Sequence, residues 1–523
     1  MCHYTILYSL WPFHWEYTNL EIQHMKPFLA IVMQTMRSAI RSKVFHVLSV
    51  LILLAVFLLP LTVSGDGTAV SLVQISITYS LGIVVALVSM TTLWLACSQL
   101  SSEIEKYSIH LVVAKPCPRW VLWCGKWVGI FAMHAAILIV SAIVILLLIQ
   151  FRVGIGHFTE AEITKLDKEV RVGRRAYLPE PEPYKEMVEK EYQRRLAAGE
   201  LKEGHDVKST KDMLYYQVKQ QSGEIKPGFA KQWTFKNVRT KSDTLFLNFR
   251  VFSGSTSTTN QTILSYIWLL KDPEAPANVA DPFAPLYFEE KDKEGKSLGL
   301  KIPSGKGGTF QELPVDAHYI DKNDNNTITL RYLNPPKEPG SPVDPPVNVI
   351  QPNDGPIFLV AETGFVVNYC RAIFQALLQL AFLTALGCTV SAAFSTPVAA
   401  FVAVTYLLIG LSVQAALDAP LRNEDGSFKY KNLWEHSLHI MAKGVSYTVV
   451  SVDDFDATAD LAQGRLVYNK RIRKVFRTMS SVFESKPVIF VSSLAILVLR
   501  WALIIGLGIW ILNRRELGAV IRK

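Results

Sequence analysis

Glu103-Ile-Glu-Lys-Tyr-Ser-Ile-His-Leu-Val-Val-Ala-Lys-Pro-Cys-Pro-Arg-Trp120, followed by Gly125-Lys126, is a short charged segment between two long apolar runs. About 20 apolar residues cross a bilayer as one helix, so a charged segment placed there is a loop at a membrane face. It opens on acids, Glu103 and Glu105. It closes on a basic, proline-punctuated end, Lys115, Pro116 and Arg119, that runs back into the membrane. The order of charge describes a docking surface on a polytopic helical protein.

Working outward, six apolar runs are visible: Val44 to Val63, Leu72 to Cys97, Val121 to Phe151, Ala372 to Phe394, Pro397 to Leu417, and Val488 to Leu512. The third is longer than one crossing needs, so its ends project or the helix tilts. Basic residues flank the first run (Lys26, Arg37, Arg41, Lys43), the Glu103 segment (Lys106, Lys115, Arg119, Lys126) and the last run (Arg514, Arg515, Arg522, Lys523). The turn Gly65 to Ser71 carries Asp66 and no base. By the positive-inside rule both termini and the Glu103 loop are cytoplasmic. Between the fourth and fifth runs lies only Ser395-Thr396-Pro397, a helix cap with proline at the first helical position.

The predicted organisation is an N-terminal cytoplasmic or interfacial segment (1–43), spans one to three (44–151) around the loop 98–122, and an extracytoplasmic domain (152–357). Spans four and five (358–417), a second outer segment read as a cap (418–487), and span six with its tail (488–523) follow. Residues 1–24 are aromatic-rich and read as neither signal peptide nor span. Either Met25 marks the true opening or they form an interfacial amphipathic segment.

Composition agrees. The 523 residues are half hydrophobic and carry a net charge of +9, with the bases beside the apolar runs rather than in a nucleic-acid-binding stripe. Six cysteines include no metal-type pair, and none falls between 151 and 357. Small packing residues are the plain reading of them.

The loop resembles the cytoplasmic coupling loop of ABC transporter permeases of the second exporter type. It is most similar to the branch for multicopper-enzyme maturation, where a Glu-rich start leads through Lys-Pro and Arg to Gly-Lys. The resemblance covers roughly residues 26–151 and 365–523, and the tight helical pair around Ser395 fits it. It implies an ATPase-coupling site made of Glu103, Glu105, Lys115, Pro116, Arg119, Gly125 and Lys126. It also implies a separate ABC ATPase subunit, a second identical or different permease subunit, and placement in a bacterial inner membrane. The large inserted domain departs from the family's plan.

Within that domain, 159–221 is charged and helix-permissive, and 228–334 shows short alternating runs separated by Gly, Pro, Asn and Asp. Gln232 to Val238, Thr244 to Phe252, Ile263 to Leu270, Phe310 to Val315 and Thr327 to Leu333 predict an antiparallel β-sandwich. Its ending resembles jelly-roll, carbohydrate-binding-like domains. Trp233 and Trp268 are candidate sugar-stacking aromatics, although sandwich core is the commoner role of such residues. Residues 335–356 form a proline-rich linker.

No phosphate loop GxxxxGK[ST] occurs, and Ser304-Gly-Lys-Gly-Gly lacks its spacing. No catalytic or metal-binding constellation emerges, so the chain is expected to be no enzyme and to use ATP only through a partner. Arg500 falls within the last run, where a charge either faces a bundle interior or snorkels outward. The leading expectation is an ABC exporter permease. The alternative is a membrane-anchored periplasmic binding or mechanotransmission protein without transport.

Overall fold

The computed structural model describes residues 27–63, 65–109, 117–201, 206–240, 242–254, 263–275, 281–291, 297–336, 345–351, 355–418, 455–467 and 501–515, with parts of 432–441. The chain divides into a helical unit and a unit built on Val172–Gly364.

In the helical unit α1 (27–40) leads into α2 (Lys43–Thr62). Asp66 accepts from the Thr68 N–H (3.0 Å) and Thr68 caps the next helix by accepting from Ser71 N–H. That helix, α3 (Ala69–Glu105), contains a π-helical turn at Ile77–Leu81. Next come α4 (Arg119–Ile155) and α5 (Glu160–Glu169), the latter opened by a Thr159/Glu162 capping box. After the β unit the chain continues as α8 (Phe365–Ala393) and α9 (Thr396–Asp418), with α6 and α7 belonging to the β unit below. A short α10 (Thr458–Ala462) and α11 (Trp501–Arg514) complete it. Among the described residues four helices, α2, α3, α4 and α8, are long and apolar enough to cross a membrane; α9 and α11 are shorter apolar helices.

Helix α8 is the axis of this unit. Its apolar window is 72% buried against 22% for α2, and it packs most extensively along α3. Small residues allow the approach: a Cβ on Gly387 would lie 2.5 Å from Ala96 Cβ. Polar side chains then join the helices, as is usual where hydrocarbon gives no hydrophobic drive between them. Gln379 donates to Ser89 Oγ (3.1 Å), Tyr369 to the Ala142 carbonyl (2.7 Å), and Trp127 Nε1 to the Ala381 carbonyl (3.0 Å).

In the second outer segment, residues 455–467 pack on the first turns of α3 and α8, where Ala457, Leu461, Ala462 and Val467 share a core with Ala69, Val73, Phe365 and Tyr369, and Phe455 stacks on Phe382 further along α8. Buried backbone outside regular structure persists only when its polar groups are satisfied. Asn368 does this from both sides, donating to Arg465 O (2.8 Å) and accepting from Val467 N–H (2.9 Å).

The β unit begins with β1 (Val172–Tyr177). A helical hairpin follows, α6 (Tyr184–Ala197) and α7 (Val207–Ser222), closed on Val188, Tyr192, Leu214 and Val218. The main strands are then β2 (Ala230–Phe235), β3 (Thr244–Arg250), β4 (Ile267–Lys271), β5 (Phe283–Pro285), β6 (Phe310–Asp316), β7 (Ile328–Leu333) and β8 (Ile357–Gly364). Two antiparallel sheets result, β1-β8-β3-β6 and β2-β7-β4-β5. First pairs with last, second with seventh, third with sixth, fourth with fifth. Aromatic edges join the sheets across one core, Phe235 to Phe358 (4.7 Å) and Phe249 to Trp268 (4.8 Å between centroids).

Two of these strands correct the sequence reading. β1 lies inside the segment predicted helical, and β8 lies beyond the predicted sandwich end. The Arg174-Arg175 pair in β1 disguised a strand. Arg174 is buried, ion-paired to Glu312 and set over the Phe246 ring, while Arg175 bonds Glu362 at 2.9 Å.

Candidate functional site

Of the residues that the resemblance implied for coupling, Glu103, Glu105, Arg119, Gly125 and Lys126 lie at the end of the helical unit where α3 stops and α4 starts. Glu103 and Glu105 are not loop residues. They occupy the last turn of α3, which runs eight residues past the apolar stretch ending at Cys97. The helix continues because α8 rather than lipid covers it. The Ser101 hydroxyl bonds the Ser391 and Phe394 carbonyls (3.1 and 2.9 Å), meeting acceptors left open at the end of α8.

Lys126, in the second turn of α4, is 2% exposed and ion-paired to Glu103. Gln99 donates to the same carboxylate oxygen at 3.3 Å. A lysine so enclosed needs this partner, since an unpaired buried charge is costly. Gly125 serves a different purpose. With Gly129 it forms a flat face on which α1 lies: a Cβ on Gly125 would meet Ile31 Cγ2 at 2.7 Å, and one on Gly129 the Val32 carbonyl at 3.0 Å.

Arg119, the first residue of α4, points its guanidinium at the end of α11. It donates to the carbonyls of Leu512 (3.0 Å), Asn513 (2.7 Å) and Arg515 (3.1 Å). Arg515 in turn donates to Ala392 O near the end of α8 (2.5 Å). Glu105, exposed, accepts from the Thr396 N–H at the start of α9 (3.4 Å). An acid at a helix N-terminus and a cation at a C-terminus both suit the backbone dipole. The ends of α3, α4, α8, α9 and α11 are thereby joined by side chains that the sequence suggested would face outward. Among the described residues from Glu103 to Trp120, those left exposed are Glu105, Lys106, Tyr107, Ser108 and Trp120.

Lys115 and Pro116 lie outside the described residues, as does Arg500. Cys117 is partly covered, and burial pushes its thiol above the ordinary range. Trp233 and Trp268 are 7% and 0% exposed and sit in the sandwich core; they form no platform. Ser304–Lys306 is a strand paired with Ile263–Ser265. Among the described residues no group of three or more His, Cys, Asp or Glu is arranged to hold a metal.

Sequence reasoning missed Gln99, Ser101, Thr396 and Arg515 as members of this network. The available signal was polarity directly abutting an apolar run, which marks a helix covered by protein instead of lipid. Comparisons of the chain with protein-family models, with curated proteins and with solved structures find no match.

Proposed function

We propose that this chain is the membrane subunit of an ABC transporter, an exporter, driven by a separate ATPase that docks beside the end of α3. The observation that carries the proposal is the polar network from Glu103 to Arg515. A load applied to the exposed residues Glu105 to Ser108 reaches five helix ends through direct bonds, which is what coupling to a motor requires. Glu103, Arg119 and Lys126 are transmission residues in this reading, and Glu105 is both a docking and a transmission residue. The chain hydrolyses no ATP itself; ATP acts through the partner. A second permease subunit completes the path.

Four long apolar helices and the two shorter ones, α9 and α11, support six crossings of a bacterial inner membrane. Lys106, Arg119, Lys126, Arg514 and Arg515 gather at the network end, against Asp66 and no base in the Gly65 turn. That bias supports cytoplasmic termini and an extracytoplasmic β unit. The nested pairing of eight strands supports a jelly-roll, placed to meet cargo or a periplasmic partner.

The test is affinity purification from native membranes with ATP hydrolysis as readout. Wild type should bring down an ATPase, and Glu105→Lys should lose it, while Arg119→Leu should retain the ATPase but lose stimulated turnover. No ATPase with the wild-type chain would remove the proposal. Protease added to spheroplasts should cut the β unit and spare Lys106; the reverse would overturn the orientation.

A further inference from the structure

The turn Asp321-Lys-Asn-Asp-Asn-Asn326 leads into β7 with a side-chain oxygen at every position except Lys322. Asn325 and Asn326 both take the left-handed backbone (φ 47° and 53°), which asparagine tolerates better than most residues. The turn folds back tightly, and Asp321 and Thr327 pair across it. The Asp321 N–H donates to the Thr327 carbonyl (2.9 Å), and the Thr327 N–H donates to the Asp321 and Asp324 carbonyls (3.2 and 2.9 Å). Alternation along the strand sends Ile328 and Leu330 into the sandwich core and leaves Thr327 and Thr329 on the other face. There they meet Asp321, Asp324, Tyr319 and the end of β4 around a pocket of about 10 Å³, space for one small ion or one water.

We propose that this pocket binds a calcium ion, which ties the 321–327 turn to the end of β4. Thr327 carries the argument. It is 5% exposed, and its hydroxyl has no hydrogen-bond partner among the described residues, although its backbone N–H and carbonyl are both satisfied. A buried hydroxyl left unpaired is costly, and an occupant of the pocket it lines removes that cost. The acids decide which occupant. Asp321 uses one carboxylate oxygen to accept from the Asn323 and Asp324 N–H groups (3.0 and 3.3 Å), and Asp324 forms no ion pair among the described residues. Lys236 feels the charge of Asp324 but is bound to Glu180 at 2.6 Å. Lys271, on the pocket wall, is exposed and pairs with neither acid. The surroundings are negative as well: the Tyr319 hydroxyl is held above its ordinary range by burial and then by the charges of Asp272 and Asp316. Two carboxylates with neutral oxygens suit a hard cation, and calcium accepts irregular oxygen geometry where magnesium demands an octahedron. With only two acids, the expected dissociation constant is about 10⁻⁴–10⁻³ M, the class of extracellular modules. That range suits the extracytoplasmic placement proposed above for the β unit.

The test titrates the full-length protein in detergent with terbium, a calcium substitute whose emission an adjacent aromatic ring, here Tyr319, sensitises. Luminescence should saturate. Calcium should displace it, and magnesium at the same concentration should not. Asp321→Asn keeps an oxygen for the two turn N–H groups, and Asp324→Asn disturbs no side-chain bond, so both variants should fold. Each should weaken calcium binding by about tenfold, since affinity follows ligand charge. Thr327→Val exchanges the hydroxyl for a methyl. It should weaken calcium binding too, while leaving the calcium-free protein at least as stable as wild type in thermal unfolding.

Absence of saturable luminescence would overturn the site. So would calcium affinity unchanged in the two acid variants or in Thr327→Val, which would leave a water in the pocket, or equal displacement by magnesium. None of these readouts involves the ATPase, so failure here is distinct from failure of the permease reading.

Discussion

Arg119 and Arg152 stand in the first and last turns of the same helix and do the same thing at each. Arg119 binds three carbonyls at the end of α11, and Arg152 binds Pro60 O and Val63 O at the end of α2, both at 2.6 Å. Each neighbour helix finishes with acceptors that no further turn can satisfy, and each receives a fixed cation there. α4 therefore fastens one neighbour at one end and a second at the other.

Replacing either arginine should release the helix it holds. Arg119→Leu and Arg152→Leu should each lower stability by about 1–3 kcal/mol, the range for a charged hydrogen-bonding group. Lysine should restore much of it, because one nitrogen, Nη1, makes all of these bonds at each arginine and an ammonium carries three donors of its own. Thermal unfolding in detergent measures the loss, and limited proteolysis should expose 501–515 in the Arg119 variant alone. Two variants as stable as wild type would show that these bonds carry no load.

The Glu103–Lys126 pair predicts a non-additive cycle. Glu103→Gln alone leaves a lysine buried without its partner, at a cost of about 3–5 kcal/mol. Lys126→Met alone should cost less, since Glu103 is more exposed and keeps Gln99. The double variant should be more stable than Glu103→Gln. Additive losses in a double-mutant cycle would mean the two side chains act independently.

Much of this was legible in the sequence, and the errors share a cause. The apolar runs located the four long and two shorter apolar helices but not α1, α5 or α10, and Ser395-Thr396-Pro397 located the α8–α9 turn, where the Ser395 carbonyl takes the first helical bond from Ala399 (2.8 Å). Hydropathy reports what surrounds a helix, not where its hydrogen bonds end, so α3 was cut short of Glu103 and α8 was begun seven residues late. The alternating runs found β2, β3, β4, β6 and β7. They missed β1 because Arg174 is inward through a remote partner, Glu312, which no local pattern announces. Glu103, Glu105, Arg119, Gly125 and Lys126, grouped in the sequence reading, lie together at one end of the helical unit. Their direction was not legible, because Arg119 finds its carbonyls nearly four hundred positions along the chain.

Two glycines should respond in opposite ways. At Gly387 an added methyl would lie 2.5 Å from Ala96 Cβ and 3.2 Å from its backbone, so Gly387→Ala must force α3 and α8 apart, at about 1–3 kcal/mol. At Gly82 the space is open, and Gly82→Ala should be neutral or gain up to about 1 kcal/mol from helix propensity. Unfolding curves of both in one detergent compare them directly. Equal losses would contradict the packing of α3 on α8.

Glu191 gives the α6–α7 hairpin an acid dependence. Hydrogen bonds from Arg194 and Arg195 hold its carboxyl at about 2, below the ordinary 4.5. A depressed folded value means the stabilisation is complete above about 4.5 and is lost as pH falls towards 2. The group is solvent-facing, so the effect is small and screened by salt. Amide exchange across Tyr184–Ala197 should accelerate in that window, and Glu191→Gln should flatten the profile. An unchanged profile in the variant would assign the acid response to other carboxylates.

Trp268 decides between core and binding surface. It is fully buried, touches Phe249, Trp233 and Tyr332 edge-on or tilted, and its Nε1–H has no partner among the described residues. Trp268→Ala should therefore cost about 3–5 kcal/mol through the cavity it leaves. Trp268→Phe should cost much less, since it keeps an aromatic ring in the cluster and removes an unsatisfied donor, whose burial alone is worth about 1–3 kcal/mol. Chemical denaturation followed by near-ultraviolet circular dichroism, which reports on packed aromatic rings, reads the β unit within the full chain. If phenylalanine proved as damaging as alanine, the indole nitrogen would have a partner that packing does not reveal, and a ligand role for this tryptophan would return.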